Sequence, residues 1–202
     1  MPALEILSSE NGSLVFHEES FRFLSELRVR SSKVIVINIA GRSRQGRSFM
    51  LNLIVRYLKN RDKDSPTANE ELVGFAWGLS TEDSTAGIHI WDEIFEVESA
   101  SGERVAVVVM DSQGVFDPRS ELKNSIEILL FTLLTSSIQI FNVSQDLSSQ
   151  DFCNIQLAVQ YARHVSEGTA TLQNLVFLVR DWQDLHQAPY GWGVVVVYLN
   201  DA

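Results

Sequence analysis

The sequence predicts an α/β fold with a mostly parallel central sheet flanked by helices, and two observations carry that expectation. Short, nearly continuous apolar runs recur at residues 34–40 (VIVINIA), 104–110 (RVAVVVM), 138–143 (IQIFNV) and 175–179 (LVFLV), as strands buried on both faces require. Segments with apolar residues at helical spacing lie between these runs, and such alternation builds parallel sheets. The 202 residues, 45% of them hydrophobic, suit a single domain spanning 1–202 with a sizeable core.

Each element follows from local pattern. Residues 14–16 read as a short strand. Phe21, Leu24 and Leu27 lie near helical spacing in residues 18–27, which predicts an amphipathic helix. The strand at 34–40 leads into a glycine-bounded segment, 41–48, and then into a helix over 47–60. Residues 61–71 (RDKDSPTANEE) are polar, contain a proline and read as a loop whose Glu70 and Glu71 are solvated. Residues 88–97 and 104–110 form two strands of a hairpin turning through 98–103 (ESASGE). A helix is expected over 118–136, with Asp117 capping it ahead of Pro118. The run at 138–143 is too short for a helix and rich in β-prone residues. A further helix spans 150–166, with Phe152, Ile155, Val159 and the Leu157–Tyr161 pair at helical spacing. The last clear strand is 175–179. The valine-rich tail, GWGVVVVYLNDA, reads either as a substitute strand or as an edge with no native partner, which would favour aggregation.

Charge and cysteine content narrow the function. A formal charge of −10 argues against a nucleic-acid partner, which needs a basic face. It leaves room for a small anion beside Arg42, Arg44 and Arg47. The single cysteine, Cys153, cannot form an internal disulfide and is expected to pack in its helix, which points to a reducing compartment. No signal-peptide pattern opens the chain, and no stretch approaches the ~20 apolar residues of a membrane helix. Insertion into a membrane by this chain itself is not expected. His17, His89, His164 and His186 have no metal-ligand spacing and read as structural or surface residues. Trp91 reads as a packing residue.

Three motifs carry chemistry. Gly41-Arg42-Ser43-Arg44-Gln45-Gly46-Arg47-Ser48 fits the phosphate-binding pattern G-x-x-x-x-G-K-[ST], with arginine in the lysine position. Glycines let backbone N–H groups converge on phosphate oxygens, and the helix that follows favours an anion at its N-terminus. The bland alternative is a glycine turn between strand and helix. Asp111-Ser112-Gln113-Gly114 follows a buried strand, where a carboxylate can hold a Mg²⁺ shell and a glycine amide can face a terminal phosphate. Arg180-Asp181 follows the last buried strand. A carboxylate there can accept from the N1–H and exocyclic amine of guanine, a donor pair that adenine lacks. A solvated Arg–Asp pair is the other reading of these two residues.

Together these pieces resemble the P-loop GTPase domain of the atlastin and guanylate-binding-protein branch of the dynamin superfamily. The resemblance covers residues 14–191. Its carriers are VIVINIAGRSRQGRSFMLNLIVRYL, GFAWG, STAGIHIWDEIF, VAVVVMDSQGVFD, SSIQIFNVSQ and LVFLVRDW. It implies binding of GTP and GDP, Mg²⁺-dependent hydrolysis of GTP, and a homodimer or a heterodimer with related GTPases. It also implies a cytosolic location at the cytosolic face of the endoplasmic reticulum. Residue by residue, Gln45, Gly46, Arg47, Ser48 and Phe49 would cradle the phosphates. Arg44 would be the internal arginine finger, worth roughly 10³–10⁵ in rate. Ser48, Thr85 and Asp111 would serve the metal, with Thr85 also closing over the terminal phosphate. Gln113 and Gly114 would line the phosphates, and Arg180 and Asp181 would frame guanine.

Two departures qualify the resemblance. Arg47 keeps the cation but replaces a compact ammonium with a wide planar fork. A misplacement worth ~3 kcal/mol would slow hydrolysis about a hundredfold. The family continues beyond Gly191 with further sheet, a loop over the base and a helical domain, whereas residues 192–202 form an atypical tail and the domain reads as C-terminally truncated. A non-hydrolysing module that pairs with a complete relative is therefore the second reading.

Overall fold

The computed structural model describes residues 3–10, 13–25, 33–61, 72–76, 87–112, 114–116, 122–165, 174–183, 186 and 196–198. Among them a nine-stranded mixed sheet forms the centre of the molecule. The strands are β1 (Leu4–Glu10), β2 (Ser13–Phe16), β3 (Lys33–Gly41), β4 (Ile88–Ile90), β5 (Phe95–Glu98), β6 (Arg104–Ser112), β7 (Ile138–Ser144), β8 (Asn174–Arg180) and β9 (Val196–Tyr198). Their order is β2-β1-β4-β6-β3-β7-β8-β9, with β5 also pairing with β6.

The heart of the sheet is parallel. β3 lies between β6 and β7, parallel to both, and β8 continues parallel beyond β7. The chain passes from β3 to a neighbour on one side and later to a neighbour on the other. In α/β sheets, ligands bind at the carboxyl ends of the strands beside such a reversal. Antiparallel wings flank the parallel heart: β4, β1 and β2 on one side, and β9 on the other.

Helices cover both faces. α1 (Arg47–Asn60) places Leu51 and Val55 against Ile39, Val105, Val107, Val109, Phe95 and Trp91. α2 (Leu122–Thr135) and α3 (Ser149–Val165) place Ile128, Leu129, Leu133, Ile155, Ala158 and Ala162 on the other face, with Val108, Met110, Phe141 and Phe177. Odd and even positions of β6 thus point to opposite layers, as strand geometry dictates. Because both layers are covered, β6 is buried from Val105 to its end, and it is apolar without interruption from Val105 to Met110.

The elements follow the sequence expectation closely, with four differences, the first being β1, which the sequence reading did not contain. Residues 18–25 form a 3₁₀ helix, Glu18–Ser25, instead of the start of an α-helix. The run at 88–97 is broken into β4 and β5. From Ile90 to Phe95 the chain advances five residues, while the opposing strand advances three, from Met110 to Val107. The two additional residues let Trp91 become fully buried, with its amide donating to the Val109 carbonyl at 2.9 Å. Cys153, expected to pack, is exposed, because the buried stripe of α3 runs through Asn154, Ile155, Ala158 and Ala162 instead. Of the valine-rich tail, Val196–Tyr198 pairs antiparallel with β8, so the substitute-strand reading holds. The loop expected at 61–71 falls, apart from Arg61, outside the described residues, as do Asp117 and Pro118. Among the described residues no helix is long and apolar enough to cross a membrane.

Candidate nucleotide site

The three sequence motifs meet at the carboxyl end of the parallel strands. β3 ends at Gly41, β6 at Ser112, β7 at Ser144 and β8 at Arg180. Gly41 adopts φ 148°, and a Cβ there would lie 2.2 Å from the Asn142 carbonyl oxygen. Only glycine lets the chain leave β3 so close to β7. Arg44 and Gly46 follow with φ 61° and 67°, curling the segment back over the start of α1. Gly46 stands at the N-cap of that helix and, as a glycine, makes no side-chain hydrogen bond to its first amides.

Ser48, in the first turn of α1, donates its hydroxyl to Asp111 Oδ2 at 2.6 Å. Ser48 is 7% exposed and Asp111 is fully buried. The register of β3 against β6 pairs Ile39 with Asp111, which brings the carboxylate beside the loop. Arg47 is 7% exposed, and its Nη1 donates to the Ser112 carbonyl. Ser112 in turn donates its hydroxyl to the Ile39 carbonyl at 2.9 Å. The end of β6 is therefore fastened to both β3 and α1. Gly114 approaches the loop so closely that a Cβ would meet Ser43 Oγ at 1.9 Å and Ser43 N at 2.7 Å. The Val115 amide then donates to the Gly41 carbonyl at 3.0 Å. Arg44 and Phe49 are exposed on the rim.

The Arg180-Asp181 motif has two parts with different surroundings. Asp181 is exposed, adopts φ 57°, and its Oδ2 accepts from Ser144 Oγ at 2.8 Å. Arg180 is turned to the loop: Nε donates to Asn142 Oδ1 at 2.7 Å and Nη2 donates to the Gln45 carbonyl. Thr85 and Gln113, singled out from the sequence, lie outside the described residues.

Two partners escaped sequence reading. Asn142 gives no motif signal, since it sits inside the apolar run of β7, yet it reaches the Gln45 carbonyl at 2.9 Å. Arg42 pairs with Asp151 at 3.0 Å and with Ser148 Oγ at 3.1 Å, joining the loop to the start of α3. The Ser148-x-x-Asp151 spacing is a readable capping signature, but nothing in it pointed to Arg42. A separate cavity of 420 Å³ is lined by Leu4, Glu5, His17, Glu19 and Ser20. Its two carboxylates make it unsuited to a phosphate.

The profile of the guanylate-binding protein, N-terminal domain, matches residues 11–200. The chain belongs to the atlastin and guanylate-binding-protein branch of the dynamin-superfamily GTPases. Atlastin-1 of Bos taurus is 38% identical over 174 residues, covering 84% of this chain and 31% of the relative. Atlastin-3 of Homo sapiens is 39% identical over 180 residues, covering 85% and 33%. Atlastin-2 of Homo sapiens is 36% identical over 174 residues, covering 84% and 30%. The chain thus spans about a third of the length of these relatives. The GTPase-domain fold expected from the sequence is the fold observed.

Proposed function

We propose that this chain, as one GTPase domain over residues 1–202, binds GTP and GDP and hydrolyses GTP. The observation that carries the reading is the buried Ser48–Asp111 pair beneath a glycine-curled loop at the head of α1. A phosphate needs converging backbone amides, and the turn at Gly46 ahead of α1 would supply them. Gln45, Gly46, Arg47 and Ser48 would surround the phosphates, Phe49 and Gly114 would border them, and Gln113 would complete that side. Asp181 would read the guanine edge, and Arg180 would support it. Arg44 on the rim would neutralise charge developing on the transferred phosphoryl group.

The donor set fits Mg²⁺. A hydroxyl and a carboxylate oxygen 2.6 Å apart, both buried, are hard ligands of the kind that ion takes. Among the described residues no group of three His, Cys, Asp or Glu could hold a metal, but Mg²⁺ in phosphate sites takes only one or two carboxylates beside phosphate oxygens. Ser48 and Asp111 would hold it, with Thr85 as a third ligand. When bound, the ion supplies positive charge to the phosphate oxygens. Chelation by EDTA is expected to weaken GTP affinity at least about tenfold. Equal affinity with and without the chelator would remove magnesium from the account.

A second reading, the non-hydrolysing module that pairs with a complete relative, is favoured by one contact. The Arg47 guanidinium donates to the Ser112 carbonyl, so the loop's cation is engaged within the protein. Either form would act as a homodimer or with related GTPases at the cytosolic face of the endoplasmic reticulum. Phosphate release from GTP, measured for the chain and for Arg47→Lys, separates the readings. Turnover by the unaltered chain supports the enzyme. Turnover only after the lysine exchange supports the module, and none in either form rejects hydrolysis.

A further inference from the structure

We infer that Arg180 and Asn142 are positioning residues that fix the direction of the Gly46 N–H at the head of α1. The inference rests on the nucleotide reading above and deepens it. The Gln45 carbonyl accepts from two side chains at once, Asn142 Nδ2 at 2.9 Å and Arg180 Nη2. These two donors are themselves joined, because Arg180 Nε donates to Asn142 Oδ1 at 2.7 Å. The guanidinium and the carboxamide therefore form a closed triangle with one backbone oxygen.

That oxygen belongs to the peptide whose nitrogen is Gly46. The structure has no cis peptide bond among the described residues, and in a trans peptide C=O and N–H point in opposite directions. Holding the carbonyl toward β7 and β8 aims the Gly46 N–H the other way. Glycine populates both signs of φ with little preference, so without the triangle this peptide plane could flip. A flip would exchange a donor for a carbonyl oxygen, and two oxygens of like partial charge repel. The Gly46 carbonyl is fixed separately, accepting from the Met50 amide at 3.1 Å. A Cβ at Gly46 would lie in ordinary contact with both Nη atoms, at 3.4 Å, so its φ of 67° rather than space is what favours glycine there.

One strand end then links two functions. Asp181 stands at the purine edge and its neighbour Arg180 sets a phosphate-facing amide, so the end of β8 serves both ends of the nucleotide. A reading in which Arg180 acts on the base by supporting Asp181 makes a different prediction, and inosine diphosphate separates the two because it lacks the exocyclic amine that the Asp181 carboxylate would accept from.

The test uses the full chain and measures affinity for GDP and inosine diphosphate in Mg²⁺, together with the Gly46 amide proton shift on adding GDP. Arg180→Lys and Asn142→Asp are each expected to weaken both ligands by the same factor, about tenfold. The GDP-to-inosine diphosphate ratio should stay at its unaltered value, and the downfield shift of the Gly46 proton should shrink in both variants. The double variant should lose less than the product of the single losses, since both act on one oxygen. If Arg180→Lys does not fold, Asn142→Asp, which leaves the guanidinium in place, carries the test. Unchanged GDP affinity overturns the inference. So does selective loss of GDP with inosine diphosphate retained, or weakened binding with a normal Gly46 shift. If the unaltered chain binds neither ligand, the nucleotide reading itself falls, and the inference with it.

Discussion

Two glycines of the motifs are fixed by the close approach of neighbouring backbone. A Cβ at residue 41 would sit 2.2 Å from a backbone oxygen of β7, and the glycine's φ of 148° is one that side chains rarely adopt. Gly41→Ala is therefore expected to cost about 3 kcal/mol in urea unfolding. A change within 0.5 kcal/mol would show that β3 and β7 can separate freely there. Gly114 faces the backbone nitrogen of Ser43, which cannot swing aside as the hydroxyl can. The sequence pattern predicted glycine at both places, but for phosphate approach. The physical reason at Gly41 is the neighbouring strand. The same limit hid Asn142: side-chain reach across strands is set by register, and register is not written in one strand's residues.

At the scale of elements, the start of α3 is the best-defined case. Ser148 Oγ accepts from the Asp151 amide at 3.2 Å, and Asp151 Oδ2 accepts from the Ser148 amide at 3.0 Å. This reciprocal cap satisfies two helix-end donors, while Asp151 Oδ1 holds Arg42. Asp151→Asn keeps capping oxygens but removes the charge opposite Arg42, and should cost about 1 kcal/mol. Asp151→Ala removes both and should cost about 2–3 kcal/mol. Equal costs measured by urea unfolding would mean the cap contributes nothing. A similar clamp joins α1 to residues 72–76: fully buried Asn52 accepts from the Phe75 amide at 2.7 Å and donates to its carbonyl at 2.9 Å. Asn52→Ala leaves two buried backbone groups without that partner and should cost at least about 2 kcal/mol by the same measurement. The bounds of α1 were legible to the residue, and those of α3 to within one residue. β1 was not, because its bulge between Glu5 and Leu7 buries both Ile6 and Leu7 and erases alternation.

Across the whole molecule, a parallel heart carries the site and antiparallel wings close its flanks. β9 covers the side of β8 that would otherwise present unpaired backbone. Deleting residues 196–202 should lower the melting midpoint by about 5 °C and promote aggregation; an unchanged midpoint would make β9 dispensable. The sequence placed its motifs after buried strands, and strand order brings those strand ends together. It could not locate the Arg42–Asp151 link or the Arg180–Asn142–Gln45 triangle, since each joins residues about a hundred positions or more apart. Base selectivity tests the entire arrangement most directly. Calorimetric titration of the chain with GDP and with ADP, both in Mg²⁺, should show GDP bound at least about a hundredfold more tightly, with Asp181→Ala abolishing the difference. Equal affinities for the two nucleotides in the unaltered chain would contradict the account.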